Sequence, residues 1–173
     1  MAFPGFCLPE IQLHHVKPLP FTSEQIFQLG PPCYETIARA EWTDRNEHVN
    51  IRYYVVMFDE AGDAWYPSVR ITSGTMDLEH HINYIREIRP GDRLAVYMRI
   101  IGVSDKRLHY VMFLWNESTS ALAALFECVN TFVDLSVRKT APWPEDIRKA
   151  LDALLARHAA LPWPAPMCGV MSA

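Results

Sequence analysis

Proline cannot donate to a β-ladder and disrupts helix interiors, so the places where a chain keeps its prolines limit where regular structure can run. Of the 13 prolines here, six precede residue 33 and five follow residue 141, leaving only Pro67 and Pro90 between them. Residues 34–140 are therefore expected to be the folded unit. A Pro-rich N-terminal arm occupies 1–33, and a C-terminal helix and tail occupy 141–173.

Within the unit, 34–42 reads as a first strand and 43–48 as a polar loop. Asn50 suits an N-cap, and Ile51, Val55, Phe58, Ala61 and Trp65 then recur at helical spacing until Pro67. Tyr53, Tyr54, Val56 and Met57 widen the apolar surface, which predicts a helix largely surrounded by protein. Four strand-like segments follow, at 76–87, 93–103, 107–116 and 121–135. Turn signals such as Pro90-Gly91-Asp92 separate them, and the last three form an antiparallel meander. Leu94, Val96, Met98 and Ile100 alternate with Tyr97, Ile101 and Val103, and Leu108, Tyr110, Met112 and Leu114 with Val111, Phe113 and Trp115. Both faces of the sheet are thus apolar, so a second cover is needed besides the helix: the chain's own arms or another subunit. In the C-terminal segment, Pro144 suits a first helical position and Ile147, Leu151, Leu154 and His158 form a docking stripe.

Twenty acidic against 16 basic side chains give a net charge of −4, and half of the residues are hydrophobic. That balance excludes a disordered chain and argues against a nucleic-acid partner. The longest apolar runs, 53–58 and 121–126, are six residues long, far short of the ~20 of a membrane helix. No Lys or Arg precedes Lys17 and no sustained apolar stretch follows the start, so no secretory signal is apparent. Cys7, Cys33, Cys128 and Cys168 form no C-x-x-C pair, and a cytoplasmic protein with reduced thiols is expected.

The loop feeding the central helix reads Trp42-Thr43-Asp44-Arg45-Asn46-Glu47-His48-Val49-Asn50. It resembles the hotdog-fold acyl thioesterases, the superfamily of 4-hydroxybenzoyl-CoA thioesterase and the plant acyl-carrier-protein thioesterases. The D-x-N-x-H-V-N pattern falls on Asp44, Asn46, His48, Val49 and Asn50. A second match, Ile82-Asn83-Tyr84-Ile85-Arg86-Glu87 with Gly91-Asp92, looks like the strand that brings those enzymes a Glu. The resemblance spans about residues 34–140. It implies an α+β hotdog fold, a five-stranded antiparallel sheet wrapped around a long central helix, here with an extra C-terminal helix. It also implies hydrolysis of a small or medium acyl-CoA by carboxylate-assisted attack of water. Asp44 matches the catalytic carboxylate, as base or nucleophile. Asn46 would position substrate or water, His48 would relay a proton, and Glu87 is the partner carboxylate or itself the activator of water. Where those enzymes place a Cys after the Glu this chain has Ile88, which excludes a thiol nucleophile there. The family habit of building the site between subunits, with the doubly apolar sheet, points to a homodimer or homotetramer. No metal or bound cofactor is implied, and coenzyme A enters as part of the substrate.

Thioester hydrolysis also needs donors for the oxyanion, and the free N–H groups at the start of the helix, at Asn50 and Ile51, sit at its positive end. Lys106, Arg107 and Arg138, the last beside Lys139, are candidate contacts for CoA phosphates, against the plainer reading of solvated turns. Asp59 and Glu60 on the helix are an alternative acid site. Trp42, Tyr53, Tyr54, Trp65 and Trp115 are core by default, some of them candidates to line an acyl pocket, and an aromatic cluster beside Asp44 and Glu47 would suit a cationic acyl group such as a quaternary ammonium. The pairs His14-His15 and His80-His81 invite a metal, but adjacent strand residues point to opposite faces. Two rivals remain open. A hotdog hydratase would need D-x-N-P-x-H, from which the spacing of Asn46 and His48 and the missing Pro depart. A non-catalytic acyl-CoA binder would bind without turnover.

Overall fold

A computed structural model describes residues 21–173. His14 and His15 lie outside them. The chain opens with a short helix, α1 (Ser23–Phe27), closed by a capping box in which Thr22 and Gln25 exchange side-chain and backbone bonds. Strand β1 (Tyr34–Ile37) follows, then a 3-10 turn over Ala40–Trp42, the central helix α2 (Ile51–Trp65) and a second 3-10 turn over Tyr66–Val69. Next come β2 (Thr75–Tyr84), β3 (Arg93–Val103), β4 (Arg107–Asn116), β5 (Ala121–Asp134), the two-residue β6 (Lys139–Thr140) and α3 (Glu145–Ala159). The sheet is antiparallel in the order β1-β3-β4-β5-β2, with β6 paired to the far end of β5.

This is the hotdog arrangement. On the inner face, Met57, Phe58, Ala61 and Trp65 of α2 pack against Leu94, Val96, Met98 and Ile100 of β3 and Leu108, Tyr110, Met112 and Leu114 of β4. Three details differ from the pattern in the sequence. A sixth strand, β6, extends the five. The first strand stops at Ile37, because the Ala38 N–H turns to the Asp92 carbonyl and the 3-10 turn swings Trp42 inward. The second ends at Tyr84, where the N–H groups of Ile85 and Arg86 both turn to the Ala123 carbonyl.

The outer face is covered by the chain's own ends. Ile26 and Leu29 from the N-terminal side and Trp163 from the tail pack on Tyr97, Val111 and Phe113. The Trp163 indole N–H donates to Gln28 Oε1 at 2.9 Å, joining the two arms. Below them, the buried Arg99 guanidinium donates to the carbonyls of Trp163 (3.0 Å) and His158 (3.1 Å) and lies 4.2 Å from the Trp163 ring. A buried His109–Glu127 pair at 2.8 Å holds the Cys168 N–H. Double apolarity therefore does not by itself demand a second subunit. Exposed apolar side chains include Met76, Leu78 and Tyr84 of the edge strand β2, whose outer edge is unpaired among the described residues, and Ile51, Val55 and Val56 of α2. Among the described residues no helix is long and apolar enough to cross a membrane.

Candidate active site

The loop before α2 is closed by backbone bonds. Thr43 bridges Val49, the Asp44 N–H donates to the His48 carbonyl at 3.0 Å, and Glu47 takes a left-handed φ of 64° at the tip. This fold-back sets the Asp44 carboxylate over the loop. Oδ1 accepts the Asn46 N–H at 2.7 Å and lies 3.8 Å from His48 Nδ1, while Oδ2 has only the long 3.5 Å contact to Asn46 Nδ2. One carboxylate oxygen is thus held tightly by the loop and the other only loosely, on a side chain 20% exposed. Asp44, Asn46 and His48 stand together as the motif spacing suggested.

At the start of α2 the two candidate oxyanion donors part. The Asn50 N–H donates to the Trp42 carbonyl at 2.9 Å, and its side chain caps the Arg52 N–H at 3.1 Å. Asn50 is therefore the helix cap, without a free amide. The Ile51 N–H has no partner among the described residues and sits at the positive end of the helix.

Glu87 lies beyond the end of β2 and is held by Arg89, Nη2 to Oε1 at 2.6 Å. A bond from the Val49 N–H to the Ile88 carbonyl at 2.8 Å stitches its segment to the Asp44 loop, but no described bond joins the two carboxylates. Lys106, Arg107 and Arg138 are at the other end of the molecule. The Asp44 end is tied to β5 at Ala123 and the Lys106 end at Thr131, eight residues or about 26 Å along the strand. Arg86 and Arg89, by contrast, belong to the Asp44 end, where with Asp92 and Thr119 they line a recess of about 350 Å³.

The aromatic pair near Asp44 is already occupied. Trp42 and Tyr53 stack at 5.3 Å, with the Arg39 guanidinium 5.5 Å from the first ring and that of Arg52 4.9 Å from the second. The protein's own cations meet the rings that had suggested a cation seat.

A cavity of about 610 Å³ opens between α2 and β2. Phe58, Tyr66, Tyr110 and Phe126 form its aromatic walls, and Asp59 and Asp63 of α2 face Asp77 and His80 of β2 across it. Burial, with the charges of Asp63, Asp77 and Glu60, raises the Asp59 pKa above its usual value. Burial also raises that of Asp77, although the Cys128 thiol and His80 oppose the shift. Tyr66 is pushed up to about 12 by burial and the Asp77 charge. Asp59 was visible in the sequence only as a weaker alternative, and Asp77 was missed. The register slips between Asp77 and Glu79, making Leu78 an extra residue, so Asp77 and His80 reach the same cavity despite opposite parity. The missed signal was the i, i+4 pair of acids, Asp59 and Asp63, which puts two carboxylates on one face of the helix. His81 points away from His80, with Nε2 3.3 Å from Asn83 Oδ1, whereas the His80 ring lies 5.2 Å from that of Phe126.

Comparison with known proteins bears on the fold and on the class of reaction. Residues 38–151 match the family model of the thioesterase-like superfamily. A betainyl-CoA thioesterase of Pseudomonas aeruginosa is 31% identical over 139 residues, 76% of this chain and 87% of the relative. An L-carnitine dehydrogenase/betainyl-CoA thioesterase of Rhizobium meliloti is 23% identical over 75% of this chain, which spans only 28% of that longer protein. A Staphylococcus aureus protein solved in complex with CoA superposes with a TM-score of 0.69 at 22% identity, over 76% of this chain and 87% of that one. With the fold and two thirds of its length in agreement, the chain belongs to the thioesterase-like superfamily and is a thioester hydrolase.

Proposed function

We propose that the chain hydrolyses a short acyl-CoA bearing a quaternary ammonium, betainyl-CoA or a close analogue, through Asp44 and the Ile51 N–H. The observation that carries the chemistry is the Asp44 carboxylate, one oxygen of which has only a 3.5 Å contact to Asn46, in the loop that leads into α2, whose Ile51 N–H has no partner among the described residues. Asp44 takes a proton from water as its oxygen bonds to the thioester carbon, and the Ile51 N–H donates to the carbonyl oxygen as it gains charge. Collapse of that intermediate breaks the C–S bond. The thiolate of CoA takes up the proton, and the acyl group leaves as a carboxylic acid. His48, 3.8 Å from Asp44, is placed to pass the proton. The scheme calls on no metal or bound cofactor. Both curated relatives described above carry betainyl-CoA in their names, which supports the acyl group chosen.

The active form in this reading is a homodimer joined along β2. The ten residues of that strand have an edge unpaired among the described residues, and Met76, Leu78, Ile51 and Val55 would be buried by a second copy. Release of free thiol from betainyl-CoA tests the function. Asp44→Asn is expected to lower kcat/KM by about 10²-fold or more. Activity within a few fold of wild type would remove Asp44 from the mechanism.

A further inference from the structure

We infer that the cavity between α2 and β2 is the seat of the substrate's quaternary ammonium, and that it serves the thioester held at the Asp44 site of the partner subunit. This rests on the hydrolase reading above and adds where the cation is recognised. Four carboxylates, Asp59, Asp63, Asp77 and Glu79, line the cavity with no Lys or Arg. None of the four forms an ion pair among the described residues. Partial burial disfavours the charged forms of Asp59 and Asp77, neither of which has a counter-ion among the described residues, and a bound cation offsets that cost. The walls suit a particular kind of cation. A quaternary ammonium has no N–H to donate, so it is held by aromatic faces and by charge at a distance rather than by hydrogen bonds. Phe58, Tyr66, Tyr110 and Phe126 supply those faces, and Phe58 and Phe126 are stacked at 4.9 Å.

Distance decides which subunit's thioester is served. Asp59 is eight residues along α2 from Ile51, about 12 Å. In a betainyl group the nitrogen is only two bonds from the carbonyl carbon, so a thioester held at Ile51 leaves the cation short of Asp59 in the same chain. Antiparallel pairing of β2 with a second copy about its midpoint sets the Tyr84 end of one strand against the Thr75 end of the other. Tyr84 touches Tyr54 in the first turn of α2, at 5.2 Å between rings, and Thr75 and Asp77 line the cavity. The dimer therefore places each Asp44 loop beside the other subunit's cavity. The bulge at Leu78, which puts Asp77 in the cavity, falls where the two would meet.

The test uses betainyl-CoA and its uncharged isostere 3,3-dimethylbutanoyl-CoA, in which carbon replaces nitrogen. The ratio of their kcat/KM values reads the cation alone. Wild type is expected to favour the cation by about thirtyfold, and Asp77→Asn to erase most of that preference. Asp59→Asn, from the opposite wall, gives the same reading should the first variant fold poorly. A structural defect lowers both substrates and leaves the ratio standing, which would overturn the assignment, as would a wild type indifferent to charge. A wild type that hydrolyses neither substrate would instead overturn the function itself. Co-expressed, differently tagged Asp44→Asn and Asp77→Asn chains test the shared site. Their heterodimer carries one intact site and is expected to show about half of wild-type activity on betainyl-CoA, far above either parent. Activity no higher than the parents would refute the two-subunit arrangement.

Discussion

Replacing Trp163 by Ala tests whether the arms are structural cover for the sheet or loosely attached ends. The indole is 5% exposed, meets Phe113 edge-on at 5.8 Å and Phe21 at 5.6 Å, stacks under the Arg99 guanidinium and donates to Gln28. Truncating a buried Trp to Ala costs about 3–5 kcal/mol, set against a total stability of about 5–15 kcal/mol for a domain of this size. With a urea m-value of about 2 kcal/mol/M, the midpoint falls by roughly 2 M. Trp163→Phe keeps the ring contacts and loses the Gln28 bond, so a shift nearer 0.5 M is expected. Unfolding is followed by far-ultraviolet circular dichroism, which does not depend on the signal of the deleted tryptophan. Because Trp163 lies on the face of the sheet away from α2, thiol release per folded molecule should not change. A midpoint for Trp163→Ala within about 0.3 M of wild type would refute the reasoning, because a ring that seals the outer face cannot be removed at that cost.

Three other perturbations have definite signs. His158 accepts the Ile100 N–H through Nδ1 at 2.9 Å, and burial together with Arg157 and Arg99 pushes its pKa down to about 4. The unfolded imidazole titrates near 6.5, so its contribution is complete above that pH and is lost as pH falls through about 4, by roughly 3 kcal/mol. Urea midpoints should therefore fall more steeply for wild type than for His158→Asn, which keeps an acceptor but does not titrate; parallel slopes would contradict this. Gly74 has φ +82° and a Cβ there would stand 2.5 Å from the Val133 carbonyl oxygen, so Gly74→Ala should cost about 2 kcal/mol or more, visible as a lowered Tm. Met76→Glu with Leu78→Glu places charge on the β2 edge and should leave a monomer in sedimentation analysis; an intact dimer would rule out that edge as the interface.

Much of the fold was legible because its signals are local. Asn50 and Pro67 bracket α2, and the turns at 104–106 and 117–120 put the ends of β3 and β4 where the structure has them. The two apolar faces of β3 and β4 also followed from parity. What covers the outer face was not legible, since the arms dock by single anchors such as Ile26 and Trp163, and a lone anchor in a Pro-rich segment carries no period. Parity itself fails wherever a strand gains a residue. The slip between Ile100 and Gly102 carries Val103 to the inner core although counting from Tyr97 puts it outside. The slip between Asp77 and Glu79 does the same to Asp77, moving a carboxylate from the face where an acid is solvated to the one where it lines a cavity. A bulge interrupts the ladder and so weakens pairing locally. The Asp44 motif could be read from spacing because it is one closed loop, whereas the cavity is assembled from α2, β2, β4 and β5, and a displacement of one residue in β2 decides whether it holds Asp77. Deleting Leu78 restores the regular alternation and should turn Asp77 out of the cavity. If the preference for a cationic acyl group survives that deletion in a folded protein, Asp77 is not what recognises the charge.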